Sequence, residues 1–298
     1  MPVATRVRHE RPVWPIRRHI GSTEYTPAFL RPGSSAVTPP EPIPADDTAS
    51  AAARRSFDEV FRSLAEVEGW LTRAQAGRLW DRAGELRPGA RVVEIGSFQG
   101  RSMIVLASAA PDGVELIAID PHGGNDRGPQ EIEGYVDEAE ADHRAFNENL
   151  ERAGVRQRVT HLRSFSHDAL AEVAGPVDLL YIDGAHRYRP AVTDVRTWGD
   201  RVVEGGTMLV HDAFSSVGVT AALAMTTFTG RRWRYRGRSG SLAEYRREDL
   251  SGRERIGNAL RQVAELPWFV RNVVVKALIL ARLRPLYRLL GSDGTWPY

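Results

Sequence analysis

The chain has 298 residues, of which 42% are hydrophobic and 26% are charged, a composition typical of a globular protein rather than a disordered or fibrous one. Because it contains no cysteine, disulfides, thiolate-bound metals and cysteine nucleophiles are excluded. Lysine and arginine total 40 against 38 acidic residues, so the net charge of +2 points to no class of partner.

The first 55 residues hold nine of the 18 prolines, which predicts an extended arm rich in proline and arginine. No apolar run follows the arginines of this arm, so no signal peptide is expected. The chain also has no stretch of about 18 apolar residues that would form a membrane-spanning helix. We therefore expect a cytoplasmic protein.

Two helices are predicted between this arm and the first strand. Ser56, with Glu59 three residues later, has the spacing of a capping box at the start of the first helix. The second helix runs from about 72 to 86 and ends before Pro88-Gly89.

From Ala90 onward, short apolar runs alternate with helical segments. The predicted strands are 92–95, 116–119, 159–162, 177–182 and 207–210, and the predicted helices are about 100–110, 137–153, 166–174 and 190–203. Strands that are apolar at every position are buried on both faces, which indicates a parallel sheet covered by helices. The expected fold is therefore α/β, a doubly wound, mostly parallel, Rossmann-like sheet.

The segment 231–247 differs because two strand-like runs flank Arg238-Ser239-Gly240. Trp233 and Tyr235 alternate with arginines, which predicts an antiparallel hairpin with buried aromatics that completes a seven-stranded sheet. The arginines also suit nucleic acid. Strand alternation explains them as the solvated face of an edge, so we expect no nucleic-acid partner.

A motif of the form E-x-G-x-x-x-G follows the first strand, with Glu94, Gly96 and Gly100 as its fixed positions. Gly96 permits a tight turn, and Gly100 lets a helix begin beneath a ligand. Asp120 ends the second strand, where an acid can bind both hydroxyls of a ribose. Because Glu94 would repel a pyrophosphate, the pattern favours S-adenosylmethionine, with its cationic amino-acid part, over NAD. The alternative is a structural turn in which both acids only cap strand ends.

Four segments carry a family resemblance: VVEIGSFQGRS (92–102), LIAIDPHGG (116–124), VDLLYIDGAHRY (177–188) and EGGTMLVHDAF (204–214). They resemble class I S-adenosylmethionine-dependent methyltransferases, particularly the group that includes macrolide-sugar O-methyltransferases and is related to catechol O-methyltransferase. The resemblance covers about residues 56–250. It divides the chain into the arm 1–55, a methyltransferase domain 56–250 and a helical extension 251–298.

The resemblance also implies which residues bind the cofactor. They are Glu94, Gly96, Ser97 and Gly100 around the methionine part, Asp120 at the ribose, and Phe165 and Ser166 at the adenine. The acid that often contacts adenine in such enzymes is missing after the third strand.

Acids and histidines end two neighbouring strands: Asp183 and His186 follow the fourth, and His211 and Asp212 follow the fifth. Such strand ends converge on the ligand crevice of a doubly wound sheet. We expect His186 to be the general base, because an ordinary pKa of about 6.5 lets it accept a proton at neutral pH. Asp183 and His211 would complete the catalytic set. The alternative gives His186 the role of a helix cap and His211 that of a strand-end residue.

Asp183 and Asp212 would also suit a hard divalent cation such as Mg²⁺. Related O-methyltransferases use a metal at these strand ends to bind and acidify the acceptor hydroxyl. Ala213 departs from the catechol-type pattern, in which an amide-bearing residue follows the second acid. The metal and the histidine base alone are therefore two open hypotheses.

The expected function is O-methylation of a hydroxyl on a small molecule or sugar. One alternative is a related oxygenase-like hydroxylase on the same scaffold, and another is a cofactor-binding protein without turnover. The acids and His186 at the strand ends favour an enzyme. The glycine-rich loop 121–135 is either a substrate lid or a plain surface loop.

The C-terminal segment 268–283 carries Arg271, Lys276 and Arg282 but no acid. Sixteen helical residues span only about 24 Å, which is shorter than the roughly 30 Å hydrocarbon core of a bilayer. Residues 256–290 are expected to pack on the domain, form a homodimer or lie peripherally on an anionic membrane, with packing or dimerisation favoured.

Overall fold

The computed structural model describes residues 55–123 and 136–292. All but the last residue of the predicted arm 1–55, and most of the glycine-rich loop 121–135, lie outside the described residues. Within the part of the chain that is described, no helix is long and apolar enough to cross a bilayer.

The two helices predicted before the first strand are confirmed as α1 (Phe57–Ser63) and α2 (Arg73–Gly84). Each begins with a capping box, formed by Ser56 and Glu59 in α1 and by Thr72 and Gln75 in α2. Reciprocal bonds of this kind satisfy backbone donors that a helix start leaves unpaired. Both helices contribute to the core on one face of the sheet.

Strands and helices then alternate along the chain. The strands are β1 (Arg91–Ile95), β2 (Glu115–Ile119), β3 (Val159–Leu162), β4 (Val177–Ile182), β5 (Val202–Val210), β6 (Trp233–Ser239) and β7 (Leu242–Arg247). The helices are α3 (Arg101–Ala109), α4 (Val136–Arg152), α5 (Ser166–Ala169), α6 (Tyr188–Thr197), α7 (Val217–Leu223), α8 (Gly252–Val263), α9 (Leu266–Leu280) and α10 (Arg284–Leu289).

The described strands form one seven-stranded sheet in the order β3-β2-β1-β4-β5-β7-β6. The first five are parallel, and β7 runs antiparallel to both β5 and β6. The strand order reverses between β1 and β4, which is where ligands bind in open α/β sheets. A core cluster lies on each face of the sheet. The predicted fold class, a doubly wound sheet that ends in a hairpin, is confirmed.

Three elements differ in length from the prediction. α6 ends at Thr197 rather than 203, because a single 3₁₀ turn at Gly199–Arg201 and the start of β5 occupy the residues that follow. β5 begins at Val202 rather than 207. Its first part is irregular, because Gly205 adopts a positive φ of 75° and the pairing register with β4 shifts at Val177/Leu179. The strand therefore passes through an irregularity that reads as a loop in the sequence. α5 is a single turn, Ser166–Ala169, instead of a helix to 174.

The hairpin buries its aromatic residues, since Trp233 and Tyr235 are both buried. Its outer strand is not an open edge. Asn258 on α8 accepts a hydrogen bond from the Tyr235 amide at 2.7 Å and donates to the Trp233 carbonyl at 2.9 Å. The predicted boundary at residue 250 stays a prediction, and α8 supplies hydrogen bonds across it.

Candidate active site

Strained backbone marks the carboxyl edge of the sheet. Phe98, His122, Asp212 and Phe214 have φ angles of 43°, 43°, 54° and 56°, although none is glycine. Conformations of this kind cost on the order of 1–3 kcal/mol each and cluster at functional sites. Of the non-glycine residues with positive φ in the described ranges, only Arg282 lies elsewhere.

Glu94, at the end of β1, is fully buried and incompletely paired. Ser102 at the start of α3 donates to Oε1, whereas Oε2 has no hydrogen-bond partner among the described residues. The hydroxyl of Ser97 is likewise buried and unpaired. Burial raises the pKa of Glu94 to about 8, against the opposing effect of the Ser102 hydrogen bond. Unpaired polar atoms of this kind can accept hydrogen bonds from a ligand that brings donors.

Gly96 and Gly100 are both required by packing. A Cβ at Gly96 would lie 2.2 Å from the carbonyl oxygen of Asp183, so the turn touches the end of β4. Gly100 has a φ of +85°, and a Cβ there would lie 2.4 Å from Leu150 on α4. The structure thus explains both glycines without a ligand, and their contact with a cofactor remains a prediction.

Asp120 follows β2 and braces the turn after β1. Oδ2 accepts the Phe98 amide and Oδ1 accepts the His122 amide, each at 2.8 Å. Because each carboxylate oxygen has a second lone pair, two ribose hydroxyls can still donate to it. The Asp120 side chain therefore stabilises this turn and can still accept hydrogen bonds from a ribose, which is its predicted role.

Near the predicted adenine position the structure adds an acid that the sequence analysis missed. The Ser166 hydroxyl donates to Oδ1 of Asp194 on α6 at 2.6 Å, and burial raises the pKa of Asp194 to about 6. Phe165 is largely exposed and stacks on His167 with ring centroids 5.7 Å apart. Asp194 lies 28 residues from Ser166, so no local pattern signals this pair.

The four residues predicted after β4 and β5 come together as two crossed pairs. His186 Nε2 lies 2.6 Å from Asp212 Oδ2, and His211 Nδ1 lies 3.2 Å from Asp183 Oδ1. Each histidine thus pairs with the acid from the other strand. The buried Tyr181 hydroxyl donates to Asp183 Oδ2 at 2.9 Å, an i, i+2 relation that the strand period could have revealed.

The acids determine the protonation of both histidines. Burial opposes a charge on His186, but the hydrogen bond and charge of Asp212 outweigh burial and raise the pKa of His186. For His211 the same balance, with Asp183 the main charge, raises the pKa to about 10. Burial would raise the pKa of Asp212, yet the hydrogen bond from His186 and the charge of His211, 3.8 Å away, lower it.

The loop that carries Asp212 rests on the C-terminal extension. Lys276 on α9 donates from Nζ to the Ser215 hydroxyl at 2.9 Å and carbonyl at 3.1 Å. Asn272 donates to the Phe214 carbonyl at 3.4 Å. Lys276 is the single lysine of the sequence. No local pattern in the sequence signals this contact, because Ser215 lies 61 residues away.

Asp183, His186 and Asp212 are also a candidate cation site. One ligand atom from each lies within 4.8 Å of the others. Two carboxylates and an imidazole are suitable donors for a divalent metal, provided that the histidine is neutral.

Part of the chain is similar to known proteins. Residues 93–213 match the family described as Methyltransferase domain. Similar solved structures include cofactor-bound Rv0187 from MTB, at 18% identity and a TM-score of 0.48, over 65% of this chain and 88% of that chain.

Two further similar structures are O-methyltransferases. One, from Bacillus cereus in complex with SAH, is 15% identical with a TM-score of 0.45 over 66% of this chain and 94% of its own. TomG from Streptomyces achromogenes, involved in Tomaymycin synthesis and solved with SAM, is 19% identical with a TM-score of 0.43 over 66% and 89%. The family match contains Glu94, Asp120 and both histidine–aspartate pairs. Residues 93–213 are therefore similar to a methyltransferase domain, in agreement with the resemblance found in the sequence.

Proposed function

We propose that the protein transfers a methyl group from S-adenosylmethionine to a hydroxyl of a small molecule or sugar. The observation that carries the proposal is the His186–Asp212 pair at 2.6 Å, on the same sheet edge as the buried Glu94. A histidine held by a carboxylate is a suitable general base. The adjacent unpaired acid is a suitable partner for a cationic cofactor.

The cofactor fits the residues that are present. Glu94 Oε2 and the Ser97 hydroxyl, both buried without a partner in the described structure, would take the amino group of its methionine part. Asp120 would bind the ribose, and Phe165, Ser166 and Asp194 would contact the adenine. S-adenosylmethionine supplies the methyl group on a positively charged sulfur, which makes the methyl carbon electrophilic.

His186 would remove the proton of the acceptor hydroxyl. Asp212 contacts Nε2, so Nδ1 is the ring nitrogen that receives this proton, and Asp212 stabilises the imidazolium that results. Asp183, held by Tyr181 and His211, would orient the acceptor. A base in this position typically contributes about 10²–10⁴-fold to the rate.

A divalent cation at Asp183, His186 and Asp212 is the second hypothesis for the same chemistry. It would supply a Lewis acid that lowers the pKa of the acceptor hydroxyl. The donors fit such a cation in type. Both carboxylates already face imidazoles with raised pKa values, so a metal would have to displace protons. Metal affinity should therefore rise steeply with pH.

A nucleic-acid acceptor is not favoured by the hairpin arginines. Arg232 pairs with Asp200, and Arg234 pairs with Glu248 and Glu254. Cations that are already neutralised by acids contribute little to phosphate binding. The hydroxylase and binding-only alternatives share the scaffold, so methyl transfer itself must be measured.

The test is transfer of labelled methyl from S-adenosylmethionine to a panel of glycosides, phenols and polyketides. We expect methylated product with wild type and none with His186→Ala. The control is His167→Ala, at an exposed histidine that also lies beside an acid. It should give near wild-type product at saturating cofactor, a condition that offsets the loss of its stacking on Phe165. Cofactor binding without transfer to any acceptor would support the binding-only alternative. Activity that is abolished by EDTA and restored by Mg²⁺ would support the metal hypothesis.

A further inference from the structure

The helices α8 to α10 present a broad apolar surface to solvent. Its exposed members are Ile256, Leu260, Val263, Val270, Val274, Leu280, Leu283, Leu286, Leu289 and Leu290. Leu280 is 74% exposed and Leu289 is 84% exposed, so these side chains gain nothing from the fold. We call these residues the C-terminal apolar face. Leu280, Leu283, Leu286, Leu289 and Leu290 lie close together in the sequence, from the end of α9 through α10. Apolar exposure concentrated in this way usually marks an interaction site.

The opposite sides of α8 and α9 already account for how the helices attach. On α8, Asn258 and Gln262 are buried, and Gln262 accepts from the Thr227 hydroxyl at 2.9 Å. On α9, Asn272 and Val275 are buried against the domain. The sides of α8 and α9 that face the domain thus combine polar side chains with Val275, Trp268 and Phe269, while other leucines and valines of these helices stay exposed.

Charge on this segment has one sign. Between residues 266 and 292 the ionisable cations are Arg271, Lys276, Arg282, Arg284 and Arg288, and there is no aspartate or glutamate. Arg282, Arg284 and Arg288 are exposed, and in the described ranges they form no ion pair. In the sequence they alternate with the leucines of α10 and the end of α9. All three side chains are therefore accessible to an anionic partner.

We propose that the C-terminal apolar face docks on an anionic lipid bilayer, with α9 and α10 lying in the plane of the interface. Leucine side chains would enter the headgroup boundary, while the three arginines would contact lipid phosphates. A second copy of the chain is a poorer occupant, because two such segments would bring cations together without acids between them. None of the described helices can span a bilayer, so the contact is peripheral.

The test is sedimentation of the full chain with vesicles of phosphatidylcholine alone or mixed with phosphatidylglycerol. We expect binding to the mixed vesicles and little to phosphatidylcholine alone. Raising NaCl from about 0.1 M to about 0.5 M shortens the Debye length and should weaken this binding.

Two sets of variants separate the apolar and charged contributions. Leu280→Asp with Leu289→Asp should lower the partition coefficient at least about tenfold, as expected for the loss of even one buried leucine. The control with Leu280→Met and Leu289→Met keeps both side chains apolar and should have a partition coefficient close to that of wild type. Arg282→Gln, Arg284→Gln and Arg288→Gln together should weaken binding, whereas the same change in net charge at Arg62, Arg144 and Arg196, exposed on α1, α4 and α6, should not.

The proposal is overturned if wild type fails to bind the mixed vesicles, or if the double aspartate variant binds as tightly as wild type. The latter result would assign binding to other parts of the chain, such as the N-terminal arginines. A dimer in analytical ultracentrifugation that the aspartate variant dissociates, with no vesicle binding, would identify a second copy as the occupant. Circular dichroism of each variant checks that it is folded. These readouts do not depend on methyl transfer.

Discussion

Two buried carboxylates at the same edge of the sheet have opposite acid strengths. Glu94 is 0% exposed and receives a serine hydroxyl, whereas Asp212 is 7% exposed and faces two imidazoles. Burial raises the pKa of Glu94 to about 8, but at Asp212 the histidines outweigh burial and lower the pKa. The difference lies in the neighbouring cation. The protein supplies that cation to Asp212, whereas a bound ligand would have to bring it to Glu94.

The largest effect is expected at His186, the histidine that contacts Asp212. His186→Ala should lower methyl transfer by about 10²–10⁴-fold with cofactor affinity nearly unchanged, because the base acts on the acceptor. His186 must be neutral to accept a proton. Since its pKa is raised, the wild-type rate should rise with pH through a midpoint above the ordinary histidine value. A similar loss of rate in His167→Ala would contradict the assignment.

Asp212→Asn should destabilise the protein by about 3–5 kcal/mol at neutral pH, because it removes the acid paired with His186 and one of the two acids near the buried His211. Asparagine has the same shape and tolerates the left-handed backbone at this position, so strain does not contribute. The lowered pKa of Asp212 means that its stabilisation exists above its ordinary value of 3.8 and is lost as the pH falls. The difference in urea unfolding between wild type and variant should therefore shrink in acid.

The exposed Asp200, which pairs with Arg232, provides the control. Asp200→Asn should cost less than about 1 kcal/mol, as exposed ion pairs do. Equal costs at Asp200 and Asp212 would show that the histidine cluster adds no stability.

Glu94→Gln should change the stability in the opposite direction from Asp212→Asn, by stabilising the protein at high pH. The pKa of Glu94 is raised from 4.5 to about 8, so the folded chain keeps a proton that the unfolded chain releases between these values. Its contribution to stability is complete below about pH 4.5 and is lost as the pH rises towards 8. The glutamine variant should be more stable than wild type at pH 8, by on the order of 3 kcal/mol, with little difference at pH 4. Urea unfolding at both pH values tests this.

The same variant should bind S-adenosylmethionine about 10- to 100-fold more weakly, because a hydrogen bond to a charged group is worth roughly 1.5–3 kcal/mol. In wild type, cofactor binding should release the Glu94 proton near neutral pH. Calorimetry in buffers of different ionisation enthalpy would detect this release, and it should be absent from Glu94→Gln. Tight binding by the variant would remove Glu94 from the cofactor site.

Apart from the Asp200 control, the smallest effect on stability is expected far from both carboxylates, at the edge of the hairpin. Asn258→Ala removes two hydrogen bonds to β6 and should cost about 1–3 kcal/mol of stability, with cofactor affinity unchanged. Thermal unfolding would measure it.

A chain that ends after Asp249 loses the same bonds. It should still fold if the predicted boundary at residue 250 is correct, and an unfolded circular dichroism spectrum would place α8 within the domain.

The sequence alone determined the order of the elements and the edge at which the site lies. The apolar runs of β1 to β5 and the capping box at Ser56 are local patterns, and each depends on residues a few positions apart. The same holds for the motif that begins at Glu94, since a strand followed by a glycine turn and a helix is read from contiguous residues. Its cofactor contacts and the base assignment remain predictions.

Only the tertiary structure decided which histidine meets which acid. Adjacency in the sequence would pair His186 with Asp183 and His211 with Asp212, but the closest contacts are His186 with Asp212 and His211 with Asp183. The physical reason is the geometry of parallel strands. The ends of β4 and β5 lie side by side, and the four residues follow these ends in turns, where Asp212 has a left-handed φ of 54°. The shape of the turns, and not the order in the sequence, therefore decides which side chains meet. Contacts such as Asp194 with Ser166 and Lys276 with Ser215 arise in the same way, because packing joins segments that no local pattern connects.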